Sequence, residues 1–220
     1  MVLNAKTSPA LGSHELALLF EERDRLRTRE TPALPSRLSV SRLVKLLSDP
    51  EAFFEELIRP MPPSYSDAAA MGTAFHRYLE ALLSEVELPE DQFDYSELIR
   101  NFENSKFSDL QPEFVEQAIE FELDGLVVVC KLDAVFRDGE QFEIVDWKSG
   151  SVPNDEQLES RKIQLGLYRI ALSRWLRVPI ERIRASFFYA ADAAEVSPTG
   201  LPSEGELIQL IREARRVRLN

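Results

Sequence analysis

The sequence predicts an α/β or α+β sandwich around a small mixed β-sheet. Three observations lead there. Apolar periodicity runs in the order helices, three strands, helix, strand, helix. Two strand-like runs flank Asp138-Gly139, a dipeptide suited to the positive φ angles of a tight hairpin turn. The chain has 220 residues with 44% hydrophobic side chains, enough for one domain with a sizeable core.

In chain order, residues 1–12 read as a flexible tail. Ser13 is placed to cap a helix reaching about Arg29, with Leu16, Leu19 and Phe20 on one side. Thr31 to Pro35 is a linker. Leu38 to Leu47 reads as a short helix with Ser41 near its start. Pro50 opens the next helix, since proline is tolerated in a first turn. Arg59 to Ser64 holds three prolines and reads as a loop. A strong helix follows over Asp67 to Ser84, capped by Asp67. Phe75, Leu79, Leu82 and Leu83 form its apolar stripe, and Gly72, His76 and Glu80 form a second stripe at i, i+4 spacing.

Glu85 to Asp109 reads as loop with one short helix near Ser96. A meander is expected next: Glu113 to Leu123, a turn at Asp124-Gly125, Leu126 to Phe136, the Asp138-Gly139 turn, and Gln141 to Lys148. FVEQAIEFEL in the first of these runs is also compatible with a helix. A long helix over Asp155 to Leu176, a strand over Ile183 to Tyr189 and a helix from about Ser203 complete the chain. Residues 13–66 are thus an N-terminal helical extension to a core spanning 67–220.

Composition excludes several classes. No apolar run reaches the roughly 18–20 residues of a membrane span. The opening MVLNAKTSPALGSHE lacks the basic and apolar stretches of a secretory signal. A lone cysteine, Cys130, excludes an intrachain disulfide and any four-cysteine zinc or iron–sulfur site. A reducing bacterial cytoplasm is the expected compartment. Net charge is −12, against a protein that coats nucleic acid by charge alone. The charge is uneven: residues 161–220 carry 11 basic and 6 acidic side chains, so a phosphate-gripping surface is expected there.

The chemistry concentrates in KLDAVFRDGEQFEIVDWKSG, residues 131–150. With the turn centred on Asp138-Gly139, Asp133 faces Ile144. Asp146 is then its diagonal neighbour on the same face, roughly 7–8 Å away at the backbone. Lys148 shares that face. Two carboxylates and a lysine are costly to bury unpaired, which marks the strand as a candidate site. Hard oxygen ligands on a rigid hairpin suit Mg²⁺ or Mn²⁺, and the Trp147 carbonyl lies between Asp146 and Lys148 as a further oxygen donor. Lys148 is suited to orient or deprotonate a water, or to stabilise charge on a pentacovalent phosphate. An Asp and a Lys two apart also occur as an ordinary surface ion pair. His76, Gln164 and Tyr168 strengthen the catalytic reading, the last two lying four apart on the helix after the hairpin.

GTAFH (72–76), LDAVF (132–136), VDWKSG (145–150) and QLGLY (164–168), in that order, resemble the RecB-type branch of the PD-(D/E)xK nucleases. ERDRLR (22–27), LPSRLSVSRLVKLLSDPEAF (34–53), RPMP (59–62) and PIERIRASFFYA (179–190) extend the likeness to the C-terminal nuclease domain of actinobacterial UvrD-like, AdnB-type ATP-dependent helicase–nucleases. The resemblance implies a restriction-endonuclease-like fold, a small mixed sheet flanked by helices. It implies a divalent-metal-dependent deoxyribonuclease working with a helicase motor on double-strand breaks. His76, Asp133 and Asp146 match the family's metal ligands, and Lys148 its catalytic lysine. Gln164 and Tyr168 match a Q-x-x-x-Y motif that holds DNA and orders the site. Glu116 falls where relatives often carry a strand glutamate. From charge and position, Arg161, Lys162, Arg169 and Arg174 are candidates for DNA grip.

The sequence departs from the pattern in two places. Relatives read G-R-I-D where this chain has Cys130-Lys131-Leu132-Asp133, and Ser149 replaces a usual threonine. Some relatives hold an iron–sulfur cluster on four cysteines, which one cysteine cannot do. No Walker-type G-x-x-x-x-G-K-S/T occurs, so an ATP site is not expected in this chain. The competing reading is a non-catalytic nuclease-like module for DNA guidance or subunit contact in a helicase complex.

Overall fold

The computed structural model describes residue 18 and residues 33–60, 66–90 and 92–217. The expected tail, the helix from Ser13 and most of the 59–64 loop lie outside them. The elements are β1 (Arg37–Ser39), α1 (Val40–Ser48), α2 (Pro50–Ile58), α3 (Asp67–Leu83), α4 (Ser96–Glu103), β2 (Phe114–Leu123), β3 (Leu126–Asp138), β4 (Gln141–Lys148), α5 (Asp155–Leu176), β5 (Ile183–Tyr189), β6 (Ala194–Val196) and α6 (Glu204–Ala214). This is the mixed α/β architecture expected, a six-stranded sheet with helices on both faces.

Local chemistry sets the helix starts. The Ser39 hydroxyl accepts the Arg42 N–H, Asp49 accepts that of Ala52, and Asn154 accepts that of Gln157. Ser203 and Glu206 form a reciprocal capping box for α6. One expected helix start and one expected cap are corrected. The helix expected from Leu38 begins at Val40, capped by Ser39, because Arg37–Ser39 is drawn into the sheet before the helix begins. Ser66 caps α3 by accepting the Ala69 N–H at 3.0 Å, which leaves Asp67 inside the first turn.

β3 is the axis of the sheet. β2 pairs antiparallel with it from Phe114↔Val135 to Leu123↔Leu126. On its other edge β3 takes two partners in succession. β1 pairs parallel at Val127–Val129, and β4 pairs antiparallel from Ala134↔Val145 to Asp138↔Gln141. Residues 130–133 lie between these ladders. β5 continues parallel to β4, and β6 closes that side antiparallel. β1 and β6 were not expected; three residues are too few to display a period.

The β3–β4 turn differs from the expected one. Asp138 pairs with Gln141, so the turn residues are Gly139 and Glu140, with Gly139 at φ +58° in the first position. Opposed positions therefore shift by two residues. Ile144 pairs with Val135, not with Asp133, and Asp133 and Asp146 are the residues that follow the last pair, Ala134↔Val145, on the two strands. A two-residue shift preserves side-chain faces, so the expected convergence survives.

Two apolar layers sandwich the sheet. Leu43, Leu46, Phe53, Leu165, Leu172, Leu207 and Ile211 pack on one face against Leu126, Val128, Leu132, Ile144 and Phe187. Phe75, Leu79, Phe102 and Phe107 pack on the other against Ala134, Phe136, Val145, Trp147 and Phe188. β3 changes parity between them. Leu126, Val128, Cys130 and Leu132 face the first layer, but Ala134 and Phe136 face the second. β2 reverses alongside: Ile119 and Phe121 face the first layer and Val115 the second. The reversal falls at Glu116 and Asp133, and Glu116 takes φ +52°, rare for a residue with a Cβ.

Candidate active site

The parity reversal and the fork in the sheet coincide, and the site is built there. Past Ala134 and Val145, β3 and β4 leave their ladder, and the Trp147 N–H donates to Asp133 Oδ2 at 2.9 Å. A carboxylate replaces a carbonyl in the ladder. The strand end is held by Trp147, 2% exposed among Phe102, Phe107, Phe136 and Phe188 at ring-centroid distances of 5.4–6.4 Å.

α3 brings His76 from one face. Its Nδ1 lies 3.5 Å from Asp133 Oδ2. Gly72, one turn earlier, lets α3 approach the strand end: a Cβ there would sit 3.0 Å from Ser149 Oγ. β2 brings Glu116, aimed by its unusual backbone. Ligand atoms of His76, Glu116 and Asp133 all lie within 4.8 Å of one another.

α5 brings Gln164 and Tyr168 from the opposite face. Gln164 Nε2 donates to Asp146 Oδ1 at 2.7 Å and to the Tyr168 hydroxyl at 2.8 Å. Its Oε1 accepts from Lys148 Nζ at 3.5 Å. Lys148 Nζ also lies 2.5 Å from Asp146 Oδ2, a charge contact without hydrogen-bond geometry. That leaves Asp146 Oδ2 buried with no hydrogen-bond donor.

The charges are strained by burial. Asp133 is 9% exposed. Burial, with the carboxylates of Asp146 and Glu116 adding to it, pushes its carboxyl well above the usual carboxylate range; the Trp147 N–H and the Lys148 ammonium pull the other way. Burial holds the His76 imidazole below its ordinary value, opposed by Asp146 and reinforced by Lys148. Burial also pushes the Tyr168 phenol well up. An imidazole kept neutral, two carboxylates in mutual repulsion and an undonated carboxylate oxygen form a donor set that a hard divalent cation would satisfy.

Of the sequence-predicted residues, the fold brings together His76, Glu116, Asp133, Asp146, Lys148, Gln164 and Tyr168. The three tightest potential ligands include Glu116, while Asp146 sits beside them on Lys148 and Gln164. A cleft of about 740 Å³ opens at His76 and Lys148, with Arg161 in its wall. Lys162 is paired with Glu159 one turn before it on α5. Arg169 and Arg174 are not brought to the site. The first donates to the carbonyls of Ile183 and Ile180, and the second to the Glu122 carbonyl and the Glu204 carboxylate. Their charge in the sequence says nothing of the main-chain groups that occupy them. Lys131, beside the Cys130 that stands where the pattern has a glycine, ion-pairs with Glu116. Sequence reasoning passed over Tyr189, whose hydroxyl accepts from Arg161 at 3.0 Å.

No functionally curated protein matches the chain in sequence. Among solved structures, a protein from Eubacterium rectale provisionally named an exonuclease is similar over 94% of this chain and 83% of its own, at 15% identity and a TM-score of 0.57. The structure of SSO0001 aligns over 93% of this chain and 86% of its own, at 18% identity and a TM-score of 0.48. The family model of the PD-(D/E)XK nuclease superfamily matches residues 94–217. That span is more than half the chain and holds β2 to β5 and α5, so this chain belongs to the PD-(D/E)XK nuclease superfamily.

Proposed function

We propose that this chain is a divalent-metal-dependent deoxyribonuclease domain that hydrolyses DNA phosphodiester bonds. One observation carries the reading: His76, Glu116 and Asp133 converge from three elements on the strand end where Lys148 meets Asp146. Such convergence of unfavourably buried charge suits catalysis better than stability.

His76, Asp133 and Glu116, with Asp146 and the Trp147 carbonyl beside them, would hold Mg²⁺ or Mn²⁺. A cation there supplies charge neutralisation on phosphate and lowers the pKa of water. The chain's own residues do the rest. Asp133 and Asp146 fix the negative pole of the site. Gln164 holds Asp146 and Lys148 in one geometry, and Tyr168 fixes Gln164 from behind. Lys148 directs its ammonium at charge building on the phosphoryl oxygens. Trp147, locked in its aromatic cage, keeps Asp146 and Lys148 on the opposite face of β4.

The resemblance to AdnB-type proteins supports a finer context: the C-terminal module of a bacterial cytoplasmic helicase–nuclease that processes double-strand breaks in recombination repair. In that context a helicase motor hands DNA to the acidic domain. Among the described residues, no helix is long and apolar enough to cross a membrane.

The test is linear single- and double-stranded DNA incubated with Mg²⁺ or Mn²⁺, with the chain alone and with a helicase partner. Cleavage should require metal and fall at least 10²-fold in both Asp146→Ala and Lys148→Ala. Metal-independent cleavage, or cleavage unchanged in both variants, would refute the reading.

A further inference from the structure

In an acidic chain, most cations near the sheet are matched by a carboxylate: Arg37 by Glu120, Lys131 by Glu116, Lys106 by Glu143 and Glu195, Lys148 by Asp146. Arg161 is an exception. It lies on the first turns of α5 in the wall of the 740 Å³ cleft. Its guanidinium donates to the Tyr189 hydroxyl at 3.0 Å and stands 5.6 Å from that ring's centroid. Among the described residues no carboxylate pairs with Arg161. Tyr189 is fully buried and is the strand neighbour of Lys148 in the parallel β4–β5 ladder. The guanidinium is therefore fixed at a set offset from the lysine; among the described residues one of its N–H groups is engaged, by Tyr189, and no carboxylate compensates its charge.

The same cleft wall carries the hydroxyl side chains of Ser41, Ser149 and Ser151, with that of Thr73 donating to the Ala69 carbonyl, and among the described residues no carboxylate. A wall of donors with one uncompensated guanidinium is complementary to an oxyanion. We propose that Arg161 binds a non-scissile phosphate of the nucleic-acid strand, next along the backbone from the phosphate addressed by Lys148. The proposal rests on the nuclease reading and deepens it. It makes Arg161 a binding residue that sets the strand's register in the cleft. A purely structural role, pinning Tyr189, would use one N–H and leave the charge without purpose.

The test uses binding without cleavage, in chelator, with labelled single-stranded oligonucleotides read by fluorescence anisotropy. Individual phosphates are replaced in turn by neutral methylphosphonates. The wild type should lose affinity most steeply at one or two backbone positions. In Arg161→Gln, overall affinity should fall about 10- to 100-fold. One of those position-specific losses should vanish while the others persist. The salt slope should also fall by about 0.7, the value of one phosphate contact on a single strand. Arg161→Lys should restore the charge and the slope but not the full affinity, because it loses the planar fork. Tyr189→Phe, which frees the guanidinium without removing it, should blur the positional loss.

An unchanged positional profile in Arg161→Gln overturns the inference, even if its Tm falls. That outcome leaves the nuclease reading standing, since metal-dependent cleavage and its loss in Lys148→Ala are measured separately. Absence of oligonucleotide binding by the wild type also overturns the inference, and the cleavage assay then decides the wider reading by itself.

Discussion

Asp133 carries two loads that pull in opposite directions. Its carboxylate accepts the Trp147 N–H where the sheet forks, yet it is buried beside Asp146 and Glu116. A carboxyl whose folded pKa is raised contributes stability below its unfolded pKa of about 3.9 and loses it as pH rises through the folded value. Asp133→Asn keeps an acceptor for Trp147 and removes the charge. In chelator at pH 8 the variant should therefore melt a few degrees higher than wild type, and the difference should shrink toward zero as pH falls to about 4. Differential scanning calorimetry reads this directly; a lower Tm at pH 8 would contradict it. His76 has the opposite sign. Its folded pKa is depressed, so its contribution is present above about pH 6.5 and is lost as pH falls through the folded value. His76→Gln should accordingly flatten the acid side of the stability profile. Added Mn²⁺ should raise the wild-type Tm, and this rise should be largely lost in Asp133→Asn. Gln164 acts through its neighbours. Gln164→Leu should lower cleavage about 10- to 100-fold with a Tm near wild type, because Asp146 and Lys148 lose their common anchor. The identities of these residues were legible in the four motifs. Glu116 was the least legible, since a glutamate in FVEQAIEFEL looks like an ordinary exposed strand residue until its backbone turns it toward His76.

At the scale of elements, close approach and register decide the geometry. Gly166 on α5 lies under the loop before α6: a Cβ there would meet Pro202 Cγ at 2.8 Å and the Pro202 carbonyl oxygen at 3.0 Å. Neither atom yields easily, so Gly166→Ala should destabilise by about 1–2 kcal/mol in urea titration, even after a helix-propensity gain of about 1 kcal/mol. Gly72→Ala should be milder, because the atom it meets is the rotatable Ser149 hydroxyl. Element types were read well from period and caps, and the bounds of β4, α5 and β5 match the expected ones. The hairpin register was not, because Asp138-Gly139 is a good turn pair in isolation. β4 pairs further along, with the turn at Gly139-Glu140. Face parity survived only because the shift was an even number. The parity reversal at Glu116 and Asp133 had no signature in the apolar alternation, since residues 132–136 are buried throughout.

Across the whole molecule, the site depends on two cores that meet through the sheet. Trp147 belongs to one and the flanking Asp146 and Lys148 face the other, so strand position is fixed from both sides. Trp147→Ala should cost about 3–5 kcal/mol and lose cleavage together with stability, whereas Trp147→Phe should retain partial activity with a smaller loss. Chemical denaturation and cleavage assays on the same samples separate the two. What the sequence determined by itself was the inventory: which residue types recur at strand and helix periods, and which side chains can carry metal-assisted phosphate chemistry. These follow from short-range physics, in steric limits on the backbone and burial of apolar stripes. The tertiary structure alone decided which charges are free and which are spent. Arg169 and Arg174 are consumed by main-chain carbonyls, Lys131 by Glu116, and Arg161 is left facing the cleft. That allocation depends on contacts between residues far apart in the chain, and no local pattern encodes it.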